Sequence, residues 1–154
     1  MSRPNIPEGY HSVTPYLVVD DSAAAIEFYR KAFGAEELMR FEADGRVGHA
    51  EIRIGDSHIM LSDAWPEWGY RSATEIGGTP VSLMLYVDDV DTVFQRAIAA
   101  GATERMPVED QFYGDRTGNL TDPFGHQWTI GTHKEDVPVD EMQRRFREMM
   151  KDMA

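Results

Sequence analysis

The chain contains no cysteine. That absence excludes disulfides, thiolate metal sites and a cysteine nucleophile, and it fits a reducing compartment. Positive charge is also scarce: 15 Lys and Arg stand against 27 Asp and Glu, for a formal net charge of −12. Phosphate backbones need a basic surface, so nucleic acid is not an expected partner. The acidic balance reads simply as solubility. No apolar run approaches the roughly 20 residues that span a bilayer, so no membrane partner is expected either. The opening Met1-Ser2-Arg3-Pro4-Asn5-Ile6-Pro7 lacks the apolar stretch of a signal peptide, and a cytoplasmic location is the expectation. Gly77-Gly78-Thr79-Pro80 lacks the lysine of a phosphate-binding loop, and no serine sits in a nucleophile elbow.

What is present is a sequence written twice. Val13-Thr14-Pro15-Tyr16-Leu17-Val18-Val19-Asp20-Asp21 reads against Val81-Ser82-Leu83-Met84-Leu85-Tyr86-Val87-Asp88-Asp89, a shift of 68 residues. The same shift carries Ala32 to Ala100, Glu36 to Glu104 and His58 to His126. Such a unit is too long for a solenoid repeat and too short for an independent domain. With 154 residues, 42% hydrophobic and 27% charged, the chain reads as one globular domain built from two half-domains. Function is then expected in the cleft between them.

Residues 1–12 form an irregular lead-in with breakers at Pro4, Pro7 and Gly9. Residues 13–19 have the β-branched and aromatic content of a strand. Asp21 or Ser22 can cap a helix over 22–33, with Ala25, Ile26, Tyr29 and Phe33 on one face and Gly34 ending it. Strands over 37–42, 47–54 and 58–62 follow, with a hairpin signal at Asp44-Gly45. The second half repeats the order. A strand at 81–87 leads to a helix from Asp89 to about Ala100, then strands near 102–107, 116–121 and 126–132. The domain spans 13–135, with modules 13–62 and 81–132. Residues 63–80 join the modules and carry Trp65, Trp68 and Tyr70; this loop is either a lid or binding wall or a linker whose tryptophans pack outside the sheet. Residues 136–154 include an amphipathic helix, with Met142, Phe146, Met149 and Met153 on one face. That face packs on its own domain or forms a dimer contact.

The paired β-α-β-β-β order, the Val-Asp-Asp helix starts and the turn Asp122-Pro123-Phe124-Gly125-His126 together resemble the vicinal oxygen chelate superfamily. That superfamily takes in glyoxalases, bleomycin-resistance proteins and extradiol dioxygenases. Phe112-Tyr113-Gly114-Asp115-Arg116-Thr117-Gly118, then Asp122 to Trp128, are similar to its PhnB-like or glyoxalase-like branch, as are Pro15-Tyr16-Leu17, Phe28-Tyr29 and Gly34-Ala35-Glu36. The resemblance covers about residues 11–135. It implies an α+β fold of two tandem βαβββ modules forming a curved mixed sheet around a cleft, and a homodimer. Metal enzymes of the family place one His or Glu ligand on each of four strands. Those positions fall at Thr14, Glu51, Ser82 and Thr129, and of these only Glu51 is a ligand of the family's kind. A single carboxylate does not hold a metal tightly. The resemblance therefore implies the family's cleft without its usual metal set and with no cofactor. A divalent metal drawn from His11, His49, His126 and Glu51 is the alternative.

Strand alternation assigns side chains to faces. Leu17 and Val19 belong against the helix, leaving Thr14, Tyr16 and Val18 opposite. Leu83, Leu85 and Val87 likewise leave Ser82, Met84 and Tyr86 for the cleft. Ala50, Ile52 and Ile54 are core, and His49, Glu51 and Arg53 share the other face. Thr117, Asn119 and Thr121, with Gln127, Thr129 and Gly131, complete it. Glu51 is the candidate general base, Arg53 an anion clamp and His49 a second acid or base; the alternative is an exposed ionic ladder. His58 and His126, paired by the repeat, read as structural groups that bond turn carbonyls. Asp115 and Arg116 either pair to fix a loop or let Arg116 reach the ligand.

Three functions fit these residues. The first is binding of a small aromatic or planar compound, stacked by Tyr16, Trp65, Trp68 and Tyr86 and oriented by Glu51 and Arg53. The acidic chain favours a cationic ligand there. The second is a lyase or isomerase on a small carbonyl compound, with Glu51 as base and an atypical divalent metal. The third is a module whose output is its dimer contact.

Overall fold

A computed structural model describes residues 5–154. The start of the lead-in, with Pro4, lies outside the described residues. The elements run β1 (Tyr16–Val19), α1 (Ser22–Phe33), β2 (Glu36–Ala43), β3 (Arg46–Ile54) and β4 (Ser57–Asp63). After a 3-10 turn (Pro66–Trp68) and the short α2 (Ala73–Ile76) come β5 (Ser82–Tyr86), α3 (Val90–Ala99), β6 (Thr103–Asp110), β7 (Asp115–Thr121) and β8 (Gln127–His133). The amphipathic α4 (Val139–Asp152) closes the chain. Each half is a βαβββ module, so the fold is α+β with a tandem repeat.

Local chemistry explains the element boundaries. The Asp21 carboxylate accepts the Ala24 N–H at 3.1 Å, and the repeat-related Asp89 accepts the Thr92 N–H at 3.2 Å. Each satisfies a donor that a first helical turn leaves unpaired. Asp44 and Gly45 both adopt positive φ, 55° and 76°, which suits a tight hairpin between right-twisted strands. The first strand is shorter than 13–19. Pro15 has no N–H to continue the ladder, although its carbonyl still accepts from Met60 N at 3.0 Å.

The strands form two four-stranded sheets, ordered β1-β4-β3-β2 and β5-β8-β7-β6. In each, the first and last strands of the module pair parallel and the remaining pairs are antiparallel. Helix α1 packs on β3 and β4, α3 packs on β6, β7 and β8, and the helices pack on each other. The two modules therefore share one core, in which Tyr29, Ile52, Leu61, Phe94, Leu120 and Ile130 are fully buried. Each sheet keeps one face free of helices.

Asp122 fastens the modules together. Only 4% exposed, it accepts the Tyr29 hydroxyl of α1 at 2.5 Å and the Trp128 indole N–H of β8 at 2.9 Å. Its other oxygen accepts the N–H groups of Phe124 and His126, which closes the Asp-Pro-Phe-Gly turn. Burial, and then the Asp122 charge, push the Tyr29 phenol well above its ordinary pKa, so it stays a donor. No described helix is long and apolar enough to cross a membrane.

Candidate functional site

The period of two along β3 places Ala50, Ile52 and Ile54 in the core and sends His49, Glu51 and Arg53 to the helix-free face. Register then builds a row across the first sheet. Glu51 stands opposite Met60, Met60 opposite Tyr16, and Met39 and Phe41 flank Glu51 and His49. Within this row the Tyr16 hydroxyl lies 2.9 Å from His49 Nδ1, and His49 Nε2 lies 2.7 Å from a Glu51 carboxylate oxygen. Partial burial lowers the His49 pKa, which favours the neutral ring. A neutral ring that donates Nε2–H to Glu51 leaves Nδ1 to accept the phenol proton. The arrangement is a three-membered acid–base chain ending at Tyr16, which is 44% exposed.

The second sheet offers a parallel surface. Ser82, Met84 and Tyr86 alternate outward from β5, and Asn119 donates to the Thr129 hydroxyl at 2.7 Å. Met84 and Tyr86 are 44% and 58% exposed. The Tyr86 hydroxyl donates to Asp115 at 2.7 Å, and His133 Nδ1 meets the other oxygen of that buried carboxylate at 2.7 Å. Bonding to Asp115, then to Asp136, raises the His133 pKa. This Tyr86–Asp115–His133 group escaped sequence reasoning, because its members lie on three strands. The repeat was the available signal, since it maps Tyr86 onto Val18 and shows the tyrosine to be peculiar to the second module.

Several sequence-based expectations require correction. Arg116 lies on the helix side of β7, bonded to Asp91 at 2.9 Å and Asp110 at 3.2 Å, so it leaves the ligand-facing set. It does not pair with Asp115. Trp65 is engaged elsewhere: its indole N–H reaches the Val47 carbonyl at 3.4 Å, the Arg46 guanidinium sits 3.5 Å over its ring, and Trp68 stacks on it at 4.8 Å. Trp65 is half-buried in this pair, while Trp68 is 67% exposed. Arg53 is ion-paired across the strands with Glu36, which is the ionic ladder rather than a free anion clamp. Thr14 precedes β1 and lies at the junction of the two modules. His126 bonds the Val18 carbonyl of the other module at 3.0 Å, a strand carbonyl rather than a turn carbonyl.

With the geometry in place, comparison with known proteins gives the class. Residues 9–130 match the Glyoxalase/Bleomycin resistance protein/Dioxygenase superfamily model, and the chain belongs to that superfamily. An uncharacterised protein of Mycobacterium tuberculosis is 49% identical over 136 residues, covering 86% of this chain and 80% of that protein. Protein YjdN of Escherichia coli is 28% identical over 145 residues, covering 80% of this chain and 96% of its own length. Among solved structures, TioX from Micromonospora sp. ML1 superposes with a TM-score of 0.63 at 26% identity, covering 83% of this chain and all of TioX. A PhnB protein from Bacillus cereus gives 0.64 at 22% identity, covering 79% of this chain and 99% of that one, and shares the fold.

The donor set does not fit the divalent ion used by metal enzymes of this superfamily. Its aligned positions offer one carboxylate, Glu51, already bonded to His49, and the Thr129 hydroxyl is taken by Asn119. Among the described residues no three His, Cys, Asp or Glu side chains converge as ligands.

Proposed function

We propose that this protein binds a small planar aromatic compound between the helix-free faces of its sheets, without the family's metal set. The observation that carries the reading is the pairing of exposed aromatic and thioether surface with a few fixed polar groups. Tyr16, Phe41, Met84 and Tyr86 supply the apolar area, and His49, Glu51, Asn119 and Thr129 supply oriented hydrogen bonds. Such a mixture characterises small-molecule sites. The acidic chain favours a cation, so bicyclic aromatic amines are suitable probes. Titration by calorimetry should give saturable binding that Tyr16→Ala and Tyr86→Ala each weaken by about tenfold, the effect of losing one stacking partner. Binding indifferent to both substitutions sinks the proposal.

The same faces leave large apolar side chains open to water in a single chain, and a second copy is the proposed cover. A homodimer would close the cleft and bury surface that a monomer otherwise exposes.

A second reading rests on the Tyr16–His49–Glu51 chain. That chain suits proton transfer on a small carbonyl compound, with Glu51 holding His49 in the accepting tautomer. Glu51→Gln separates the two readings: it abolishes turnover in an isomerase or lyase and only lowers affinity in a binding protein.

A further inference from the structure

The repeat makes a symmetry argument available at the junction of the modules. His126 bonds the Val18 carbonyl across this junction. Its repeat partner His58 makes no counterpart bond. The His58 ring instead stacks on Tyr10 at 4.1 Å, and its Nδ1 is buried with no hydrogen-bond partner. The Tyr10 hydroxyl is also buried and unpartnered. Beside them lies a cavity of about 170 Å³ between the chain entering β1 and the edge strand β5. Ile54, Ile59, Leu83, Leu85 and Trp128 give it apolar walls. His11, Thr14, Ser57 and His58 are its polar members. Gly9, at φ 85°, comes so close to His58 that a Cβ there would lie 2.9 Å from the ring, so the turn is shaped around the imidazole.

We infer that this junction cavity is a second ligand site, sharing only Met84 with the proposed site on the helix-free faces, and that it takes a neutral monocyclic phenol. Size decides the ring: an apolar cavity of about 150 Å³ accepts benzene. Bicyclic compounds exceed it. Apolar walls penalise a bare cation, and the net charge of −12 opposes an anion. A hydroxyl remains, and the imidazoles of His11 and His58 with the Ser57 hydroxyl can bond it in either direction. Tyr10 and Gly9 already fix the His58 ring, so little ordering is left to the ligand, which meets the ring at Nε2 because Nδ1 is closed off.

The test is a titration of the full chain with phenol, and separately with benzene, followed by NMR at the Trp128 indole and the His58 ring. Saturable shifts at both groups are expected with phenol, with benzene about tenfold weaker, the measure of one net hydrogen bond. His58→Phe should erase that preference while keeping benzene binding. Leu83→Trp, which fills the cavity, should remove both ligands. Absence of saturable shifts in the unmodified protein overturns the site, as do shifts confined to Tyr16 and Tyr86. Equal affinity for phenol and benzene overturns the role of the polar members. Because the probes and reporter residues differ from those of the helix-free faces, either site can fail without the other.

Discussion

At the scale of single residues, Asp122 carries more structural weight than any residue of the candidate site. Four donors from two modules converge on its carboxylate, and two of them, the Tyr29 hydroxyl and the Trp128 indole, lie in the core. Asp122→Ala would strand both, at a cost of about 3 kcal/mol or more. Urea denaturation should show this, with Tyr29→Phe costing about 1 kcal/mol because the same Asp122 oxygen still accepts the Trp128 indole N–H. A loss below that for Asp122→Ala would mean water replaces the carboxylate. The histidines give a pH signature. His133 is raised above 6.5 by Asp115 and then Asp136, so its contribution is complete below pH 6.5 and fades as pH rises through the folded value. His49 is lowered below 6.5 by burial, so its contribution is complete above pH 6.5 and fades as pH falls through the folded value. The stability differences from His133→Gln and His49→Gln should therefore trend oppositely with pH in denaturation series; parallel trends would contradict the assigned partners. Sequence alone could pair His58 with His126 through the repeat. It could not show that one bonds a carbonyl and the other lacks a partner, because that depends on how the modules meet.

At the scale of elements, alternation made both sheet faces legible in advance. Ala50, Ile52 and Ile54 are buried while His49 and Glu51 face away, because period two is a local property of the strand. Arg116 shows the limit. Alternation sends Thr117 and Asn119 outward and places Arg116 on the helix side, but the sequence could not show that Asp91 waits there at the start of α3. Linker residues carry no period, so the Trp65–Trp68 stack and its Arg46 cover were not legible. Helix packing on the second sheet depends on a missing side chain. A Cβ on Gly118 would lie 2.8 Å from Phe94 Cε2 and 2.7 Å from Val108 Cγ2, so α3 rests directly on β7 there. Gly118→Ala should push Phe94 and α3 outward and cost about 1–3 kcal/mol, as overpacking does. Phe94→Leu in the same background should recover part of the loss. Independent, additive effects of the two changes would show that α3 does not seat through this contact.

At the scale of the whole molecule, the unbalanced feature is apolar surface on faces that carry no helix. Phe41 is 59% exposed, Tyr86 58% and Met106 61%, beside Tyr16 and Met84 at 44% each. The core is already complete beneath the other face of each sheet, so nothing within the described chain remains to cover them. The amphipathic α4 does not: it bonds the Phe112 carbonyl through Arg145 and packs Phe146 against Phe112, at the far end of the β6–β7 connection. A second copy bringing its own helix-free faces would bury these side chains and enclose the Tyr16–His49–Glu51 chain, strengthening its hydrogen bonds by excluding water. Sedimentation equilibrium should accordingly find a dimer at micromolar concentration. Replacing Met106, opposite Asn119 on the same face and outside the proposed ligand contacts, by Glu places a charge where that contact is proposed and should give monomers with an unchanged circular dichroism spectrum, since the side chain does not belong to the core. If planar aromatic binding is lost with the dimer, the cleft requires both copies. If dimers persist with that charge in place, the contact lies elsewhere, and the exposed aromatic face is left to the ligand alone.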